Sequence, residues 1–202
     1  MHAKTAVSAL AIAFLGFAQA AYPAGSSNSQ TALAKTVLHH SLQSEAQQNA
    51  AEASLRCAAQ ARVSPQQAIS VVARQTRGSV VEASFVMNGG MPSYAVRAVT
   101  GSTLWRGYVS ADSGAIRDGT AVAAADKAVD PGEKMQIRLV KRTKLPIGRA
   151  IGLAEHAVGG RVLDALLVDA RGRPEYQMQI LTSGAIQSVV VDPAGGTVHL
   201  VG

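Results

Sequence analysis

The chain of 202 residues holds one cysteine, Cys57, so no intrachain disulfide can staple its fold. Aromatic residues make up 4 % of it, which leaves Val, Ile, Leu and Ala to fill the core. After the N-terminal stretch, no apolar run reaches the length of a bilayer span. Catalytic patterns are missing as well. There is no Gly-x-Ser-x-Gly elbow, the Gly-rich pieces lack the Lys-Ser/Thr of a phosphate loop, and no His follows Glu155-His156 at zinc-protease spacing. Cys57 has no persuasive His partner. Asp164, Asp169 and Asp192 lie in or beside expected strand ends, where turn chemistry explains them without acid–base work. These absences point away from an enzyme and leave no catalytic residue, metal ligand or cofactor to name.

The first positive feature is an export signal. His2 and Lys4 precede the apolar run Ala6 to Phe17 and the exit Ala18-Gln19-Ala20, the pattern of a secretory signal peptide (1–20) cut after Ala20. About a dozen apolar residues are too few for a membrane anchor. The mature chain is expected in the periplasm or outside the cell, with no transmembrane segment. Its formal charge of +6 falls by one with Lys4. In an exported protein that basicity suits anionic envelope polymers, lipid headgroups or acidic proteins, and not nucleic acid. General solvation is the plainer explanation.

Residues 21–30, with the Pro/Gly/Ser stretch Tyr22 to Ser29, read as a disordered tail. Residues 31–62 contain no Gly or Pro, and Leu33, Val37, Leu38 and Leu42 recur at helical spacing, so one or two helices are expected there. Within that segment Cys57 suits a small buried apolar position, with intermolecular pairing open if its face is exposed. The neighbours His39-His40 point about 100° apart on a helix and do not share a face for one ion.

The rest of the chain is organised by a duplication. Sliding Leu145–Val198 back by 82 positions lays it without a gap on Val63–Ile116. About a dozen of roughly 54 positions are identical, far above chance agreement. Each copy should open with a helix. In the first, Ser64-Pro65-Gln66-Gln67 forms a capping box before the stripe Ala68, Ile69, Val72 and Ala73. That helix is expected to stop at Gly78 in a positive-φ turn. The second has the stripe Ile147, Ala150, Ile151 and Ala154, but Pro146 at its cap, and stops at Gly159-Gly160. Strands follow at Val80–Met87 and Val162–Val168, then turns, then strands alternating through Tyr94, Val96, Ala98 and Tyr176, Met178, Ile180. Third strands, Leu104–Ser110 and Ile186–Val191, lead through a turn to a short last strand. The fold class is therefore α+β: two tandem helix-plus-antiparallel-meander modules (63–117 and 144–202) after an N-terminal helical segment. Each helix should cover one sheet face and leave the other partly open. The linker 118–143 ends in Met135 to Lys144, MQIRLVKRTK, whose weak alternation suggests an edge strand.

The order helix, Gly, strand, Gly-x-Pro-x-Tyr, strand, Val-Asp-x-x-x-Gly closely resembles the PepSY domain family. It is carried by Ala150-Ile151, Gly160, Val162, Gly172, Pro174, Tyr176, Val191-Asp192 and Gly196. The first copy carries Ala68-Ile69, Gly78, Val80, Gly90, Pro92, Tyr94, Val109 and Gly114, and departs by placing Ser110 where the second has Asp192. Such modules occur in propeptides of thermolysin-type metallopeptidases and in stand-alone exported proteins. The resemblance implies a binding or inhibitory role towards peptidases or other envelope proteins, and it supplies no catalytic residues.

Two groups stand out as binding candidates. Arg138, Lys141, Arg142, Lys144 and Arg149 form a basic cluster with no acid among them, suited to an acidic partner or anionic polymer. A charge-guarded edge strand would give the same pattern. Trp105 and Tyr108 have no aromatic counterparts in the second copy, where Gln187 and Val190 stand. They are either a partner anchor or core filling. Taken together, the residues suggest an exported, non-enzymatic protein-binding module that regulates a peptidase and docks through open sheet faces or edges. The alternative is an envelope sensor or structural protein that holds anionic polymer on its basic cluster.

Overall fold

The computed structural model describes residues 47–183 and 185–201. The signal segment, the tail and residues 31–46, with His39-His40, lie outside the described residues. Residues 47–60 are helical (α1), within the segment where helix was expected. At the end of α1, Arg161 Nη1 donates to Ala58 O and Ala61 O at 2.8 Å each. This cation satisfies carbonyls that a helix C-terminus leaves free.

Helix α2 (Pro65–Thr76) begins as its sequence dictates: Gln67 N donates to Ser64 Oγ and Ser64 N to Gln67 Oε1. It buries Ala68, Ile69 and Val72. Its last turn corrects one expectation. Arg77 takes the left-handed conformation at φ 52°, and Gly78 does not. Gly78 is required for closeness instead, since a Cβ there would lie 2.8 Å from Val99 O. Its counterpart Gly160 would collide with Leu181 O at 2.5 Å, and there Gly159 takes the positive φ.

Strands β1 (Ser79–Asn88), β2 (Met91–Thr100), β3 (Thr103–Ser110) and β4 (Ile116–Ala123) form the first meander. After a connection come α3 (Pro131–Leu139), a 3-10 turn (Val140–Arg142) and α4 (Ile147–Val158). The second meander is β5 (Arg161–Ala170), β6 (Arg173–Leu181), β7 (Ile186–Val191) and β8 (Val198–Val201). All eight strands join in one antiparallel sheet, ordered β4-β3-β2-β1-β5-β6-β7-β8. The α+β expectation holds, and the two meanders meet edge to edge. At the join Ala83 pairs with Ala165, its own counterpart 82 residues on, flanked by Glu82 opposite Leu166 and Ser84 opposite Asp164. A pseudo-two-fold axis therefore passes through the join, much as an isologous dimer interface closes on itself.

Helices α2 and α4 lie side by side on one face, with Gly148 of α4 within 3.6 Å of Ile69 if given a Cβ. Tyr94, Val96, Tyr176, Met178 and Ile180 point into this layer and are buried. The entry to each helix is tied down identically. Tyr94 OH donates to Val63 O and Tyr176 OH to Leu145 O, both at 2.8 Å. Val63 N donates to Ala111 O and Leu145 N to Pro193 O. Burial pushes both phenols up to about 12.

The linker departs from the sequence reading. Strand β4 extends to Ala123, and Met135 to Leu139 is helix, not edge strand. Asp130-Pro131-Gly132-Glu133 explains the helix: Glu133 N donates to Asp130 Oδ1 at 2.8 Å, Asp130 N to Glu133 Oε2 at 3.0 Å, and Pro131 sits at the first helical position. The weak alternation of Met135, Ile137 and Leu139 conceals a helical stripe of Glu133, Gln136, Ile137 and Leu139, all buried.

Candidate functional site

The sheet face opposite α2 and α4, here the outer face, carries the polar chemistry. Strand alternation puts Arg97 there, between the helix-facing Val96 and Ala98. Register then places Glu82 and Arg106 on either side of it. Helix α3 crosses this face with Glu133 inward and only 3 % exposed. Arg97 Nη1 lies 2.6 Å from Glu82 Oε2, and its Nε lies 3.4 Å from Glu133 Oε1. Arg106 pairs with Glu133 through Nη2 and donates to Ala128 O at 2.9 Å. Gln136 Nε2 approaches Glu82 Oε2 and Leu167 O, while Ser84 donates to Asp164. The network clamps α3 across the join between the two meanders.

Glu82 and Asp164 are counterparts 82 residues apart and flank the pseudo-axis. Burial raises both carboxyls above the ordinary range, partly offset at Glu82 by Arg97 and at Asp164 by the Ser84 hydroxyl. Asp164 is a half-buried acid in mid-strand and not a turn residue. Asp169 and Asp192 do serve turns, accepting from Gly172 N and Ala194 N. Glu155 bridges elements, accepting from Val162 N at 2.9 Å and from Gln66 Nε2 at 3.3 Å. His156 beside it is exposed.

The second half of the outer face is different. Leu104 is fully buried, whereas its counterpart Ile186 is 39 % exposed. Gln179 and Ser188 stand where Arg97 and Arg106 do in the first half, and Val190 replaces Tyr108. Gln177, Ser188 and His199 are exposed on this face. Among the described residues, β6 and β7 present here an open surface of mixed polar and apolar side chains with no arginine at the positions of Arg97 and Arg106, next to the acids Asp164 and Glu175.

The basic candidates lie on the linker side. Arg138, Lys141, Lys144 and Arg149 are exposed, on α3, the 3-10 turn, the following loop and the first turn of α4. Arg142 Nη2 donates to Gly172 O at 3.0 Å, which brings the β5–β6 turn and its Arg171 and Arg173 alongside. Sequence order alone could not show that adjacency. Trp105 is 9 % exposed and packs into the space left by Gly107 and Gly119, where added Cβ atoms would come within 2.7 Å of its ring. It is core filling, beside a shallow depression lined by Gln75, Thr76 and Thr100. Tyr108 is half-buried between Ala95 and Arg117.

The clamp residues Glu82, Arg97, Arg106, Glu133 and Gln136 were not singled out from the sequence. The available signal was the Asp130–Glu133 capping box, together with opposite charges at Glu82 and Arg97 across a hairpin.

Residues 62–120 match a family model described as PepSY, peptidase propeptide and YPEB domain. The resemblance to the PepSY family is thereby shown for that segment. No curated protein matches the chain. Among solved structures the chain is similar to one described as a candidate lipoprotein from Clostridium difficile 630, at 17 % identity and a TM-score of 0.42. That likeness covers 68 % of this chain and 91 % of the other. No described helix is long and apolar enough to cross a membrane.

Proposed function

We propose that this is an exported, non-catalytic binding protein built from two PepSY-like modules, and that it restrains or regulates a peptidase of the cell envelope. The carrying observation is the family match over residues 62–120, whose description ties such segments to peptidase propeptides. The same tyrosine tie and turn bonds recur 82 residues on, which supports reading the second half as another such module. The signal-like N-terminus supports export to the periplasm or beyond. The test is capture of envelope and secreted proteins on purified residues 21–202 at low and moderate salt, followed by inhibition kinetics on any peptidase recovered. A stoichiometric, salt-resistant peptidase that the protein inhibits supports the proposal. Recovery of salt-labile material alone contradicts it.

A second reading has one specific observation in its favour. The fold adds Arg171 and Arg173 to Arg142 and its basic neighbours, and such a patch would hold an anionic envelope polymer. Binding of that kind fades steeply as salt rises.

A further inference from the structure

We infer that the open outer face of β6 and β7 is a docking site for an amphipathic helix of the protein partner, seated as α3 is seated on the first half. The inference rests on the protein-binding reading above and names the surface and the kind of partner.

The chain contains its own template. Helix α3 lies over the outer face at the join, resting on β5, and reaches into the first half with Glu133 buried against Arg97 and Arg106. Leu104, two residues from Arg106 on the same strand face, is fully buried. In the second half α3 reaches β5, and beyond it β6 and β7 keep the same register with no helix over their outer face among the described residues: Ile186, at the position of Leu104, is 39 % exposed. The open area continues directly from the α3 interface, because α3 rests on β5 and the uncovered strands are next in the sheet.

Charge decides what fits. Glu133 is matched by two guanidinium groups, but Gln179 and Ser188 offer only neutral hydrogen-bonding groups at those positions. A carboxylate buried on them would be unpaired, which is costly. The fitting helix therefore has an apolar stripe for Ile186 and Val190 and a neutral polar residue where α3 has Glu133. A strand added along β8, or a second copy of the chain, would use a different surface or stoichiometry.

The test uses isotopically labelled full chain titrated with two synthetic peptides, one of residues 126–142 and the other the same with Glu133→Gln. Amide shifts report where each binds. The Glu133→Gln peptide should shift Gln177, Gln179, Ile186, Ser188 and Val190 and bind at least about tenfold tighter than the native peptide. Ser188→Arg in the protein, an exposed position, should reverse that preference. The inference is overturned if neither peptide binds, if shifts are confined to β8, if they fall on Arg97 and Arg106, or if they track protein concentration without peptide. Each of those results leaves the capture experiment above free to succeed, so the two proposals fail separately.

Discussion

The two halves of the sheet share a skeleton and differ in one face. Beneath α2 and α4 the same bonds recur 82 residues apart: tyrosine to the residue before the helix cap, and that residue's N–H to the turn after the third strand. The close glycines Gly78 and Gly160 recur too. On the outer face an acid is kept at Glu82 and Asp164, but its partners are not. The first half has arginines under a capped helix, and the second has Gln179, Ser188 and an exposed Ile186. The layer that makes the fold tolerates little change, because a backbone contact at 2.5–2.8 Å leaves no room for a Cβ. The outer face is free to diverge, and it is there that the halves acquire different tasks.

The sharpest way to break this comparison is a pair of matched truncations. Leu104→Ala should cost about 2–5 kcal/mol in denaturant unfolding, as deletion of buried methyl groups does. Ile186→Ala should cost no more than about 0.5 kcal/mol, as at other surface positions. Equal losses would mean that the second face is covered after all.

Next in size is the clamp. Glu133→Gln leaves Arg97 and Arg106 without their buried carboxylate and weakens the α3 cap, for about 2 kcal/mol given that both arginines are a third exposed. Urea unfolding measures it, and Ser188→Ala is the matched control expected to change little.

The shared layer predicts equality instead. Tyr94→Phe and Tyr176→Phe each remove one hydrogen bond to a backbone carbonyl, and each should cost about 1 kcal/mol. A difference larger than about 1 kcal/mol between them would break the equivalence of the two ties.

The smallest effect is in pH. Burial raises Glu82, Asp164 and Glu155, so the folded chain holds more protons than the unfolded chain between the ordinary carboxylate range and the raised values. Stability contributed by these groups therefore falls as pH rises through that window, and is fully present below it. Asp164→Asn should flatten the slope, which thermal melts across mildly acidic pH would show.

Much of the skeleton was legible because local signals agreed with one another. The box Ser64–Gln67 and the alternating Tyr94, Val96 and Ala98 each dictate one element, and the 82-residue offset doubled the evidence. Helix α3 is hidden in the sequence because Met135, Ile137 and Leu139 alternate like a strand, and the Asp130-Pro131 cap lies upstream of them. Gly78 has the sequence setting of a turn glycine, but its role depends on Val99 O, a contact that local sequence cannot show. The clamp was hidden for the same reason: Glu82, Arg97 and Glu133 meet only through sheet register and helix docking. The basic cluster was visible as a run, but its continuation to Arg171 and Arg173 depends on Arg142 reaching Gly172.

The central claim is that one outer half-face is covered and the other is open. Solvent paramagnetic relaxation of side-chain methyls in the unmodified, methyl-labelled protein tests it directly. Ile186 and Val190 methyls should relax strongly with a soluble paramagnetic agent, and those of Leu104 should not. Equal protection of Leu104 and Ile186 would contradict the claim.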